Sequence, residues 1–131
     1  MSEKITKSEK EWMDQLGPEA FKVLRRKGTE RAGTSPLNAE KRDGAFVCAG
    51  CGAPLFASDA KFNSGTGWPS FYAPMDADAV EEEEDNSFFM RRVEVHCAKC
   101  DGHLGHVFPD GPEPTGLRYC INGVSLKFEP K

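Results

Sequence analysis

Apolar residues change their spacing along this chain near residue 44. In the first 35 residues, Trp12, Met13 and Leu16, then Phe21 and Leu24, recur at helical intervals. Ser8-Glu9-Lys10-Glu11 has the capping-box pattern ahead of the first group, and a short helix is predicted to end near Gly17. Pro18 can open a second helix, because its missing N–H costs nothing in a first turn. Arg25, Arg26 and Lys27 suit that helix's C-terminal end, and Gly28 can terminate it. After Gly44, Phe46-Val47, Leu55-Phe56 and Phe71-Tyr72 are short apolar stretches between glycines and prolines, which reads as β-structure. The longest predicted strand runs from Phe88 to His96, with Val93 and Val95 inward and Arg92 and Glu94 outward. Val124, Leu126 and Phe128 alternate with Ser125, Lys127 and Glu129 in the same way. The expected class is mainly β: one domain over residues 1–131, with a helical arm at 1–35 and a β core at 44–129.

Composition narrows this picture. Only 38% of 131 residues are apolar, and 13 glycines and 9 prolines divide the chain into short pieces, so a small core would gain from a staple. The net charge of −4 argues against a general electrostatic grip on nucleic acid or anionic membranes. The acidic run Glu81 to Asp85 reads as a solvated loop, with repulsion of acidic partners as the alternative. No apolar run approaches the ~20 residues that span a bilayer. Met1 to Thr6 has no hydrophobic signal region, so a cytoplasmic location is the default expectation; a monomer is expected as well.

Five cysteines cannot all pair. Cys48-Ala49-Gly50-Cys51 and Cys97-Ala98-Lys99-Cys100 each present two sulfurs from a tight turn, and two such turns complete a tetrahedron suited to Zn2+. A thioredoxin-like dithiol expects a βαβ setting that neither pair has. Haem attachment expects a histidine where Gly52 and Asp101 stand. Four thiolates leave no position for water, so the metal is expected to be structural.

The fifth cysteine lies in Leu117-Arg118-Tyr119-Cys120-Ile121-Asn122. Period-two alternation places Arg118, Cys120 and Asn122 on one face, and a nearby cation favours the reactive thiolate. A buried, inert cysteine is the competing reading. Asn122-Gly123 is a hairpin-turn signal, which leaves the direction of Asn122 open. His103 and His106 would face opposite ways in a regular strand, but a bulge at Gly105 could bring both to one side. They could serve in catalysis, ligate metal, or hydrogen-bond to structure. His96, beside Cys97, reads as a surface residue or one behind the metal ligands. Trp68, between Gly67 and Pro69, is either core or one wall of an apolar pocket for a methyl group.

Three segments, with the two C-x-x-C pairs, carry a resemblance over residues 8 to 129. They are Gly65-Thr66-Gly67-Trp68-Pro69-Ser70-Phe71, Gly102-His103-Leu104-Gly105-His106-Val107-Phe108 and Arg118-Tyr119-Cys120-Ile121-Asn122. Together they resemble the methionine-R-sulfoxide reductases. The resemblance implies two antiparallel sheets in a β-tent-like arrangement, with zinc away from the active site. It implies Cys120 as nucleophile, His106 and His103 as active-site histidines, and Trp68, Arg118, Asn122 and Asp110 as substrate-site residues. Oxidised proteins or peptides would be substrates, and thioredoxin, or glutathione with glutaredoxin, the reductant. Many members carry a resolving cysteine where this chain has Thr66, so it resembles the one-cysteine subtype. The competing class is a non-catalytic zinc-ribbon interaction module, which has no need of Cys120, His106 and Trp68 together. A zinc hydrolase would need an open metal position.

Overall fold

The computed structural model describes residues 4–86 and 91–131. Both predicted helices are present within one element, α1 (Glu9–Arg26), which changes direction at Gly17, where φ is 82°. Its capping box is closed: the Glu11 N–H donates to the Ser8 hydroxyl, and the Ser8 N–H donates to the Glu11 carboxylate, each at 3.2 Å. Trp12, Phe21, Val23 and Leu24 are buried, whereas Met13 is exposed. The left-handed terminating residue is Lys27 rather than Gly28. Gly28 is instead needed for close approach, because a Cβ there would sit 3.0 Å from the Lys22 carbonyl oxygen.

The strands form two antiparallel sheets. The smaller has the order β2 (Pro54–Ala57), β1 (Gly44–Cys48), β9 (Leu126–Pro130). The larger runs β3 (Lys61–Phe62), β4 (Ser70–Phe71), β8 (Arg118–Ile121), β7 (His103–Phe108), β6 (Arg92–Cys97), β5 (Val80–Asp85). An aromatic cluster joins the sheets: Phe56 stacks on Phe71 at 4.3 Å, and Phe46 meets Phe71 edge-on at 5.1 Å. Such pairs contribute roughly 0.5–1.5 kcal/mol each beyond the area they bury. No helix among the described residues is long and apolar enough to cross a membrane.

Other expectations along the strands change or fall outside the described residues. Residues 88–90 of the longest predicted strand lie outside the described residues, and β6 begins at Arg92. Glu94, expected to face water, is 4% exposed. Alternation anticipates one wet face, but the end of α1 covers this part of the sheet, and Lys27 reaches the Glu94 carboxylate at 3.3 Å. The acidic run is an edge strand, β5, rather than a loop. Its exposed charges discourage pairing with another chain.

Asn122-Gly123 does not close a hairpin. A type I′ turn needs positive φ at both residues, but Asn122 is extended at φ −70° and Gly123 is not among the positive-φ glycines. The pair instead leads a 3₁₀ turn, Gly123–Ser125, that carries the chain from the larger sheet to the smaller.

Strands β7 and β8 approach closely at Gly105, where a Cβ would lie 2.0 Å from the Cys120 carbonyl oxygen. Gly105→Ala is therefore expected to lower stability by about 1–3 kcal/mol, the usual cost of overpacking. Denaturant unfolding of the variant would measure this, and an unchanged midpoint would contradict the close approach.

Candidate active site and metal centre

Cys48 ends β1 and Cys97 ends β6, and each is followed by a turn that brings back a second cysteine. The turns are built alike. Gly52 N–H donates to the Cys48 carbonyl and Asp101 N–H to that of Cys97, with left-handed φ values of 78° and 64° at the donors. The four sulfurs all lie within 4.8 Å of one another, with 3.7 Å between Cys48 and Cys100 and 3.6 Å between Cys51 and Cys97. A disulfide needs about 2.05 Å, whereas a tetrahedral ion with metal–sulfur bonds of about 2.3 Å needs sulfur–sulfur edges of about 3.8 Å. The cluster therefore has the donors and dimensions to hold a metal ion. Helix α1 closes over it: Gln15 donates to the Gly50 carbonyl at 2.5 Å and Arg25 to that of Cys100 at 2.7 Å.

A separate pocket of about 300 Å³ lies on the larger sheet, and Cys120, His106, Trp68, Arg118 and Asn122 line it. As the alternation predicts, Tyr119 and Ile121 enter the core while Arg118 and Cys120 face the other way. Register then supplies what spacing could not. Cys120 pairs directly with His106 of β7 on one side and with Ser70 of β4 on the other. Directly opposed residues on antiparallel strands have Cβ atoms about 4.5–5.5 Å apart.

The bulge expected at Gly105 falls one residue earlier. Val95 pairs with Gly105 but His96 with His103, so Leu104 is the extra residue. It brings the two imidazoles edge-to-face at 5.6 Å. Their surroundings differ. His106 lines the pocket, and its Nε2 lies 2.8 Å from the Asp85 carboxylate. His103 is 3% exposed and absent from the pocket wall, with Nδ1 2.6 Å from Glu94. Burial lowers the His103 pKa against the opposing pull of Glu94, so the ring is neutral at neutral pH. His96 lies elsewhere, 3.1 Å from Glu81 and next to Cys97.

Asp110 does not line the pocket but grips Arg118 through both carboxylate oxygens, at 2.9 and 3.1 Å. Trp68 donates its indole N–H to the Glu30 carbonyl at 3.0 Å. The Asn122 amide donates to the Leu104 carbonyl and accepts from the Glu30 N–H, each at 2.9 Å. Thr66 places its hydroxyl 3.9 Å from the Cys120 sulfur.

The expected activation of Cys120 by Arg118 does not prevail. Burial pushes the thiol above its ordinary range, and hydrogen bonding to Thr66 and the charge of Arg118 offset this only in part. Asp110 opposes that charge only weakly, and desolvation sets the direction, which favours the neutral thiol. Sequence reasoning also missed Glu30, Asp85, Glu94, Arg92 and Thr29. Asp85 and Glu94 had a faint signal, as carboxylates at the end and middle of strand-like segments, while Glu30 had none.

The SelR domain family matches residues 16–130. The peptide methionine sulfoxide reductase MsrB of Methanosarcina mazei is 59% identical over 125 residues, covering 95% of this chain and 89% of that protein. The protein of the same name from Leptospira interrogans is 54% identical over 129 residues, covering 98% of both chains. That of Pseudomonas putida is 57% identical over 129 residues, covering 98% of this chain and 97% of its own.

Site-resolved alkylation of Cys120 should accelerate with pH, with a midpoint above about 8.5, the value for a free cysteine. Because the Asp110 charge raises the Cys120 pKa, Asp110→Asn should move that midpoint to lower pH. A midpoint near neutrality in the unmodified protein, or a shift to higher pH in the variant, would contradict this electrostatic balance.

Proposed function

The chain belongs to the SelR family, whose curated relatives are peptide methionine sulfoxide reductases, and from that premise we propose that it reduces the R epimer of methionine sulfoxide, mainly in peptide linkage, to methionine. The observation that carries the reading is the direct pairing of Cys120 with His106 in a pocket walled by Trp68. Selection of the R epimer rests on the family alone.

In this mechanism the methyl group of the oxidised side chain packs on Trp68, and the Cys120 sulfur attacks the sulfoxide sulfur. His106 delivers a proton to the sulfoxide oxygen and recovers one from the thiol, so a neutral resting cysteine suffices. Proton transfer of this kind is commonly worth ~10²–10⁴-fold. One oxygen atom passes to Cys120, leaving methionine and a cysteine sulfenic acid. The cysteine sulfur is oxidised by two electrons and the sulfoxide sulfur reduced by two. His103, held by Glu94, buttresses His106 rather than meeting substrate.

Recycling requires two external thiol equivalents, which return Cys120 to the thiol and release water and a disulfide. Thr66 stands where a resolving cysteine would be needed, and the other four cysteines are gathered at the metal centre. Thioredoxin, or glutathione with glutaredoxin, has the required chemistry. We read the metal as one structural zinc, because four sulfur donors in a closed tetrahedral arrangement suit that ion and leave no place for a reacting water. Unpaired cysteines suit a reducing cytoplasm, where the chain would act as a single-domain monomer.

Epimer-resolved turnover of a peptide containing methionine sulfoxide tests the reaction. Cys120→Ser should abolish it, and residual turnover would overturn the assignment. After one turnover without reductant, a sulfenic-acid trap should label Cys120. Thr66→Cys should replace that label with an internal disulfide, whereas such a disulfide in the unmodified protein would refute one-cysteine recycling. Metal analysis should find one zinc per chain, and its chelation should lower the melting temperature; an equally stable metal-free protein would contradict the structural role.

A further inference from the structure

Four hydrogen bonds converge on Glu30, a residue 9% exposed in the irregular segment after α1. Its carboxylate accepts from the Gly123 N–H at 2.7 Å and the Val124 N–H at 3.0 Å. These amides open the 3₁₀ turn Gly123–Ser125, where two N–H groups need an acceptor. Its own N–H donates to the Asn122 side-chain oxygen at 2.9 Å, and its carbonyl accepts the Trp68 indole N–H at 3.0 Å. The carboxylate thus anchors the residue to the turn after β8, and the anchored backbone holds two side chains that line the pocket.

Nearby packing stiffens this connection. Gly33 N–H donates to the Gly67 carbonyl at 2.7 Å, and a Cβ on Gly67 would lie 2.9 Å from the Ala32 side chain. A Cβ on Gly123 would lie 1.9 Å from the Ser35 hydroxyl oxygen. The tryptophan loop and the turn after β8 therefore both rest on residues 30–35. The Asn122 amide spends one N–H on the Leu104 carbonyl and its oxygen on Glu30, which fixes its plane and leaves a second N–H.

We propose that Glu30 is a positioning residue for sulfoxide reduction: it sets the Trp68 ring that receives the methyl group and the Asn122 amide beside the reacting sulfur, without touching substrate itself. The proposal rests on the functional reading above. Glu30 makes no bond to Cys120, whose partners are Thr66 and Arg118; the Thr66 hydroxyl, which also accepts the Trp68 backbone N–H at 3.4 Å, is the one link between the thiol and the tryptophan loop among these contacts. Loss of the Glu30 carboxylate should loosen the substrate walls while leaving the nucleophile intact.

The test compares Glu30→Gln and Glu30→Ala with the unmodified protein, and with Glu9→Gln as a control at an exposed ion pair with Arg26. Glutamine keeps the shape but turns an NH₂ toward one of the two amides. Four quantities are read: metal content, kcat and KM on a methionine sulfoxide peptide, the alkylation rate of Cys120, and the Trp68 indole N–H resonance, assigned with Trp68→Phe. The expected result for Glu30→Gln is retained metal, unchanged Cys120 alkylation, a displaced Trp68 resonance, and kcat/KM lowered roughly ten- to a hundredfold, as small misplacements of binding groups can do. The control should match the unmodified protein throughout. Unchanged kcat/KM, an unmoved resonance, or activity lost only in step with metal and Cys120 reactivity would overturn the proposal. An unmodified protein inactive on the peptide would sink the functional reading instead, and the indole resonance would still decide whether Glu30 holds Trp68.

Discussion

The close approach of β7 and β8 at Gly105 is the constraint on which the pocket depends. No side chain fits between that residue and the Cys120 carbonyl, so the two strands lie in one register. That register sets His106 beside Cys120 and turns Tyr119 and Ile121 into the core. A slip of one residue would reverse every side chain of β8, burying the thiol and exposing the core. The bulge at Leu104 adds a second adjustment, turning His103 toward its neighbour.

Around this pair the protein supplies stiffness from two sources that its small core lacks. The four-cysteine cluster ties the end of β1 to the end of β6, and so links the two sheets away from the pocket. Helix α1 covers those turns and leads into residues 28–43, where Glu30 and Gly33 brace the tryptophan loop. The same N-terminal segment thereby serves both places, with the helix over the four-cysteine cluster and the irregular chain behind the pocket walls.

Polar groups at and behind the pocket are partnered rather than left bare: Arg118 with Asp110, His106 with Asp85, His103 with Glu94. Desolvation of the half-buried Cys120 holds its thiol above the ordinary range, which favours the protonated form. In the mechanism proposed above, its reactivity belongs to the complex with substrate, where a sulfoxide oxygen offers a place for the proton. This arrangement protects an isolated thiol from casual oxidation, because the thiolate is the form that oxidants attack.

Features set by neighbours in the chain were legible in the residues themselves. The Ser8–Glu11 box, the break at Gly17-Pro18, the paired C-x-x-C turns and the outward face of Arg118 and Cys120 all follow from spacings of a few residues. Tertiary structure decided the rest. Glu94 meets His103 across 9 residues, Asp85 meets His106 across 21, and Glu30 meets Asn122 across 92. Alternation in a strand tells which residues share a face, but not whether a helix from elsewhere covers that face, and so it placed Glu94 in water. Nor could a nearby arginine fix the charge of Cys120, since burial is the sum of what distant segments pack around a sulfur.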